Sequence, residues 1–328
     1  KRQILDLSVS LNSTMKTSIK ILILTLFAVK AYGQQTAQFS NFISNALYYN
    51  PSVVGGQDCL VFKTGQRSQW NNFEGAPTTT FASLSTRIFQ PKNINSGKAL
   101  GVGGYFQNDL IGPFKRSSFN IALAYNLLLQ RDMAFSFGLN TGFQQFGFDA
   151  TKVRLTQPTD PLIDGSGKLF LFPDLSLGGY LECKNWYIGL SAKQMFNSNW
   201  SRLVGSSNSV DQIHYHLMFG QRITKEKISF SPNIIINKTR NALPSFDANL
   251  MLEFNKKIST GFSWRNTNAF ICLLNLKILD QISLHYSYDF STSKLRTAGV
   301  NTHEIMIGIK ANSKKFSDKT DLKSILFY

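Results

Sequence analysis

The sequence predicts an all-β protein: a transmembrane, antiparallel, up-and-down β-barrel of about 14 strands. Three observations carry this. Runs such as Ser117–Leu129 place Phe119, Ile121, Leu123, Tyr125, Leu127 and Leu129 at alternate positions, with Ser118, Asn120, Ala122, Ala124 and Asn126 between them. Side chains alternate faces along a strand, so each run is apolar on one side and small or polar on the other. Connections between the runs alternate short and long, which is the wiring of an outer-membrane barrel rather than of a soluble sandwich. Beyond the N-terminal region no apolar run approaches the roughly 20 residues a helix needs to cross a bilayer, so in a membrane a closed barrel is what satisfies every backbone hydrogen bond.

Taken in order, residues 1–14 precede a better start at Met15. Residues 15–33 have Lys16 and Lys20, an apolar core from Ile21 to Val29, and Ala31-Tyr32-Gly33. Charged start, short apolar run and small residues at the cut make a secretory signal peptide, cleaved after Gly33. Residues 34–57, rich in aromatics and broken by Asn50-Pro51, read as a periplasmic leader or plug. The barrel follows over residues 58–310, with strands at Asp58–Gln69, Thr78–Ile88, Ala99–Asn108, Ser117–Leu129, Met133–Asp149, Leu175–Leu181 and Trp186–Lys193. Its second half has Ile213–Ile223, Ile228–Asn237, Phe246–Phe254, Ile258–Trp264, Ala269–Ile278, Gln281–Tyr288 and Glu304–Lys310. Turns at Gln130–Asp132, Glu182–Asn185, Thr224–Lys227, Asn255–Lys257 and Leu279-Asp280 are short, and Phe89–Lys98 is longer. All six fall on the periplasmic side if the first strand runs outward. Ala150–Asp174, Phe196–Gln212 and Asp289–Thr302 are long and face outward. Residues 311–328 form a basic periplasmic C-terminal tail.

Three cysteines, Cys59, Cys183 and Cys272, are too few and too scattered for a disulfide framework or a metal site. The formal charge of +16 falls to about +12 without the first 33 residues. Export argues against nucleic acid, and basic residues near the rims suit an anionic membrane surface of lipid and lipopolysaccharide. Gly101, Gly103, Ala122, Ala124, Ser136, Gly138, Gly261 and Ser263 fall on the inward register, where small residues let another backbone approach. His214, His216, His285, Glu253, Arg265 and Lys277 are polar lumen positions. His214 and His216 share a strand face, but no third metal ligand is placed by the sequence, and Asp160 with Asp164 reads as a solvated loop. No nucleophile elbow, paired-His zinc motif or phosphate loop occurs, so neither an enzyme nor a cofactor or metal is expected. Trp70, Phe73, Phe170, Phe172 and Trp200 are the aromatic loop residues expected to meet a partner, with a membrane-interface girdle as the competing reading.

Several segments together carry a resemblance. They are Leu47-Tyr48-Tyr49-Asn50-Pro51 with Gly55, Arg67-x-Gln69-Trp70, and Phe73-Glu74-Gly75-Ala76-Pro77-Thr78-Thr79. Further along come Gly101-Val102-Gly103-Gly104-Tyr105, Asn108-Asp109-x-Ile111-Gly112-Pro113, Pro173-Asp174-Leu175 and His303-Glu304-Ile305-Met306-Ile307-Gly308. In order along nearly the whole mature chain, they resemble the PorP/SprF family, outer-membrane proteins of the type IX secretion system. Two features depart from it: the chain continues past the last strand, and Cys59 stands in the first.

The resemblance implies a non-enzymatic outer-membrane barrel that binds or anchors a secreted cargo through the cargo's C-terminal sorting domain, with gliding motility as one branch. It also implies a periplasmic link to a peptidoglycan-binding OmpA-like lipoprotein. The alternative is a passive diffusion channel for a small solute, open if nothing fills the lumen.

Overall fold

The computed structural model describes residues 36–57, 59–71, 73–89, 98–130, 132–149, 152, 169–196, 212–240, 242–267, 269–292 and 301–311. The expected signal peptide and the residues before it, Asp160, Asp164, Trp200 and the tail beyond Ala311 lie outside them. The barrel and the segment within it belong to one compact unit, Ala37–Tyr328.

Fifteen hydrogen-bonded segments make fourteen staves. They are β1 (Leu60–Ser68), β2 (Thr78–Phe89), β3 (Lys98–Ile111), β4 (Phe114–Gln130), β5 (Met133–Phe148), β6 (Leu169–Cys183), β7 (Trp186–Lys193) and β8 (His214–Gln221). Then come β9 (Ile223–Lys225), β10 (Ile228–Thr239), β11 (Ser245–Phe254), β12 (Ile258–Arg265), β13 (Ala269–Lys277), β14 (Ile282–Ser291) and β15 (Thr302–Ala311). β8 and β9 pair with the same strand, β10, in one continuous register and form a single stave. Each stave is antiparallel to its neighbours in sequence, and β1 pairs with β15 from Leu60↔Ala311 to Ser68↔His303, closing the cylinder. Closure removes the sheet edges that would otherwise be left unpaired.

The alternation read from the sequence sorts the faces as expected. In β4, Phe119, Ile121, Leu123 and Tyr125 point outward and are exposed, while Asn120, Ala122 and Ala124 are buried inward. The outward residues of the other staves continue this belt with Phe62, Leu84, Phe106, Phe137, Leu190, Phe219, Leu250 and Ile307. Such a belt is unsuited to water and matched to lipid.

Most strand ends shift by one to three residues from the sequence reading, and larger differences occur at three places. β6 begins at Leu169, so the connection expected over Ala150–Asp174 is shorter, and Phe170 and Phe172 lie on a strand. The end carrying the long connections also holds tight ones: Gly112-Pro113 alone joins β3 to β4, and residues 266–268 join β12 to β13. Gly112 makes the first possible by adopting φ +55°, a left-handed conformation that costs glycine little. β10 carries Pro232 in mid-strand, and its pairing stops at Asn233↔Gly220 and resumes at Phe230↔Ile223. Proline has no N–H to give the ladder, so this gap follows from the residue itself.

Candidate functional site

The lumen is not empty. Residues 37–56 run through it, and almost every one is buried. A single helical turn, α1 (Ala46–Tyr49), is followed by a 3-10 turn over Pro51–Val53. Asn50 and Pro51 set this local shape. The residue before a proline is driven out of the helical region, and Asn50 is extended at φ −141°, which ends α1. Pro51 opens the next turn, and Asn50 Oδ1 caps it by accepting from Ser52 N at 3.0 Å. The Asn50 amide then donates to Gly179 O (3.0 Å) and Leu190 O (3.3 Å), fastening the turn to β6 and β7.

Glycines on the inward register admit this backbone. A Cβ on Gly138 would lie 2.3 Å from Ser52 N, and one on Gly101 would lie 2.5 Å from Val54 O. One on Gly178 would meet Asn50 Oδ1 at 2.0 Å. Gly101 and Gly138 are thus small for the reason the sequence suggested, since another backbone passes there, whereas Gly103 makes room for the Val54 side chain. Aromatic rings fill the space above. Phe39 meets Tyr48 and Phe81 edge-on at 4.9 and 4.8 Å, Tyr48 meets Tyr105 at 5.2 Å, and Tyr49 stands edge-on to His216 at 5.3 Å. Tyr49 OH accepts from Phe39 N (2.9 Å) and Tyr48 OH donates to Ala37 O (3.0 Å), which folds the segment on itself.

The segment's two ends sit at opposite ends of the barrel. Gln38 donates to Ser245 Oγ, at the long-connection end of β11. Val54 O accepts from Asn126, and Gly55 O accepts from Arg87, both near the short-turn end of their strands. The expected leader or plug is therefore a strap that crosses the lumen from one rim to the other before β1 begins.

Near the long-connection end a buried charge network grips the strap. Arg67 donates to Asp289 Oδ2 at 2.8 Å and to Glu304 Oε2 at 3.1 Å. Arg265 pairs with Asp247 at 2.7 Å and approaches Asp289 at 3.7 Å. Ser40 lies among them: its hydroxyl is 2.7 Å from both Asp289 oxygens and accepts from Arg67 at 2.6 Å. The Ser40 and Asn41 amides donate to Glu304 at 2.8 and 3.1 Å, and Arg265 donates to Phe39 O. Buried charges persist where they are paired and hydrogen-bonded, and each of these is.

The motif residues fall into three groups. Tyr48, Tyr49, Asn50 and Pro51 form the strap, and Arg67 and Glu304 face each other across the β1–β15 seam and belong to the charge network. The third group shapes the rim. Gln69 N donates to Pro77 O (2.9 Å), Trp70 N donates to Thr302 Oγ1, and Trp70 itself has φ +52°. Gly75, at φ +73°, accepts from Gly112 N at 2.9 Å, which joins two connections; Pro113 O accepts from Asp149 N. Asn108 accepts from Ser117 and Asp109 from Thr79 (2.6 Å), while His303 meets Tyr286 OH at 2.8 Å on the outward register.

Of the aromatic residues expected at a partner surface, Phe73 is 56% exposed and Trp70 half-buried, both on the connection between β1 and β2. Phe170 and Phe172 correct the sequence reading. They are on the inward register of β6, paired with Phe146 and Gln144, and Phe172 packs on Phe146 at 5.7 Å. Four consecutive apolar residues, Leu169–Phe172, hid the alternation there. His214 and His216 point inward and stack at 6.4 Å, with His216 Nδ1 bonded to Asn237 Oδ1 at 2.7 Å. His285, Glu253 and Arg265 are buried in the lumen as expected, whereas Lys277 lies at the short-turn rim and pairs with Asp280 at 2.9 Å. Sequence reasoning passed over Ser40, Asp247 and Asp289. Inward parity beside a charged residue was the available signal, since a buried charge needs a partner.

Residues 31–309 match the family described as type IX secretion system membrane protein PorP/SprF. No curated protein matches the chain. Among solved structures, the CymD monoaromatic hydrocarbon channel is similar at a TM-score of 0.50 and 11% identity, covering 84% of this chain and 94% of that one. The P. putida toluene transporter TodX gives 0.46 and 9%, covering 83% and 95%. The Acinetobacter baumannii outer membrane protein Omp33 gives 0.46 and 9%, covering 77% and 99%. At such identity the likeness to CymD is one of fold, that of an outer-membrane barrel.

Proposed function

Because the chain belongs to the PorP/SprF family of type IX secretion system membrane proteins, we propose that it attaches a secreted cargo to the outer membrane. In this reading the role is not enzymatic: the cargo's C-terminal sorting domain binds the long-connection face, where Trp70 and Phe73 lie. The short-turn face meets the secretion machinery or a peptidoglycan-binding OmpA-like lipoprotein. The observation that carries the proposal is the strap: a lumen filled by the chain's own residues 37–56, gripped by paired charges, suits a scaffold better than a conduit. The alternative, passive diffusion of a small solute, requires that strap to leave.

Affinity purification of a tagged full-length copy from detergent-solubilised native outer membranes, with mass spectrometry of the co-purifying proteins, tests this. A stoichiometric surface protein that retains a C-terminal sorting domain is the expected result, and its identity says whether the gliding branch applies. Recovery of the barrel alone would overturn the attachment role.

A further inference from the structure

One part of the outer face departs from an even apolar belt. Across β8, β10, β11, β12 and β13 a single outward row reads Phe219, Ile234, Ala248, Trp264, Phe270. Ala248 is the small member between large neighbours, and Pro232 lies beside it where the β8/β9–β10 ladder is interrupted. Together they form a cleft of about 450 Å³ with apolar walls, a volume in the range of small-molecule sites.

Below this cleft the short-turn rim is strongly basic. Lys225, Lys227, Lys256 and Lys257 are all exposed. Backbone bonds stitch their turns side by side: Asn255 N donates to Lys227 O at 2.8 Å, and Lys277 N donates to Lys257 O at 2.7 Å. Glu226 lies among them, and Asp280 is paired with Lys277. On the opposite half of the same rim the basic residues are spread over three separate connections, with Lys98 and Lys184 exposed, Arg131 next to Asp132 in the sequence and Lys92 in the connection before Lys98.

The spacing between the two features matches a lipid. Six residues of β11 separate Ala248 from Phe254 at the rim, about 20 Å along a strand. At the tilt of barrel strands this is about 15 Å of depth, half of a bilayer's hydrocarbon core, with a displacement of about 13 Å around the barrel that an inclined acyl chain spans. Outward Ile223, Phe230, Leu252 and Ile258 line the way between.

We infer that the β8–β13 face is a binding site for one anionic phospholipid of the adjacent leaflet. The turn lysines hold its phosphate headgroup, and an acyl chain lies in the cleft at Ala248. The site needs the barrel in a membrane and is independent of any cargo.

Full-length protein, delipidated in detergent, is offered dioleoylphosphatidylglycerol or dioleoylphosphatidylcholine, and bound lipid is counted by native mass spectrometry. The expected result is one retained phosphatidylglycerol in preference to phosphatidylcholine. The combined variant Lys225→Ser, Lys227→Ser, Lys256→Ser, Lys257→Ser lowers that preference by at least about fivefold, the effect of a single basic residue near an anionic surface. Ala248→Trp fills the cleft and lowers retention of both lipids. If Ala248→Trp fails to fold, the lysine variant, confined to exposed turns, decides alone. Equal retention of the two lipids by the unmodified protein, or an undiminished preference in the lysine variant, overturns the inference.

Discussion

At Gly138 a side chain would have nowhere to go, because the Ser52 backbone nitrogen and Cα stand 2.3 and 2.4 Å from where its Cβ would be. Gly179, on the outward register of the next strand, has nothing nearer than a Phe135 ring carbon at 3.9 Å. Gly138→Val is therefore expected to destabilise the barrel by about 1–3 kcal/mol or to expel the strap, lowering the thermal unfolding midpoint, while Gly179→Val leaves it unchanged. Equal midpoints for the two variants would remove the glycine seat from the account. That Gly138 faces inward was legible from alternation alone. What it faces was not, because Ser52 reaches it through tertiary packing. The same limit hid Asp289: its parity implied a lumen position, but its partner Arg67 is 222 residues away in the chain.

Element by element, the fourteen staves were legible because lipid on one side and packed interior on the other impose strict alternation. The sequence misread β6 at its start, where Leu169–Phe172 is apolar on both faces and Pro173 suggests a strand end. The strap was legible as a distinct element from its aromatics and Asn50-Pro51, but not its path. Its removal gives the clearest test at this scale. Deleting Gln38–Asn50 is expected to produce conductance steps in planar bilayers where the full chain produces none. A full chain that conducts as well as the deletion would show that ions pass the strap.

For the whole molecule, the rim that faces the cell exterior is read by a direct measurement. In a background with Cys59, Cys183 and Cys272 replaced, Phe73→Cys is expected to react with a membrane-impermeant maleimide on intact cells, and Asp280→Cys only after permeabilisation. The reverse pattern would invert the barrel and move the proposed cargo face to the periplasm.

The strap also constrains the order in which the molecule is made. It enters at the rim where Gln38 meets Ser245 and leaves at the other, directly into β1. A hoop that closed first would afterwards have to draw its own chain through from end to end, and folded chains avoid such threading. Wrapping the staves around a strap already lying in place avoids it. The β1–β15 seam, where Arg67 and Glu304 clasp Ser40 between them, then becomes the last join of assembly, Glu304 receiving the Ser40 and Asn41 amides only once the interior is filled.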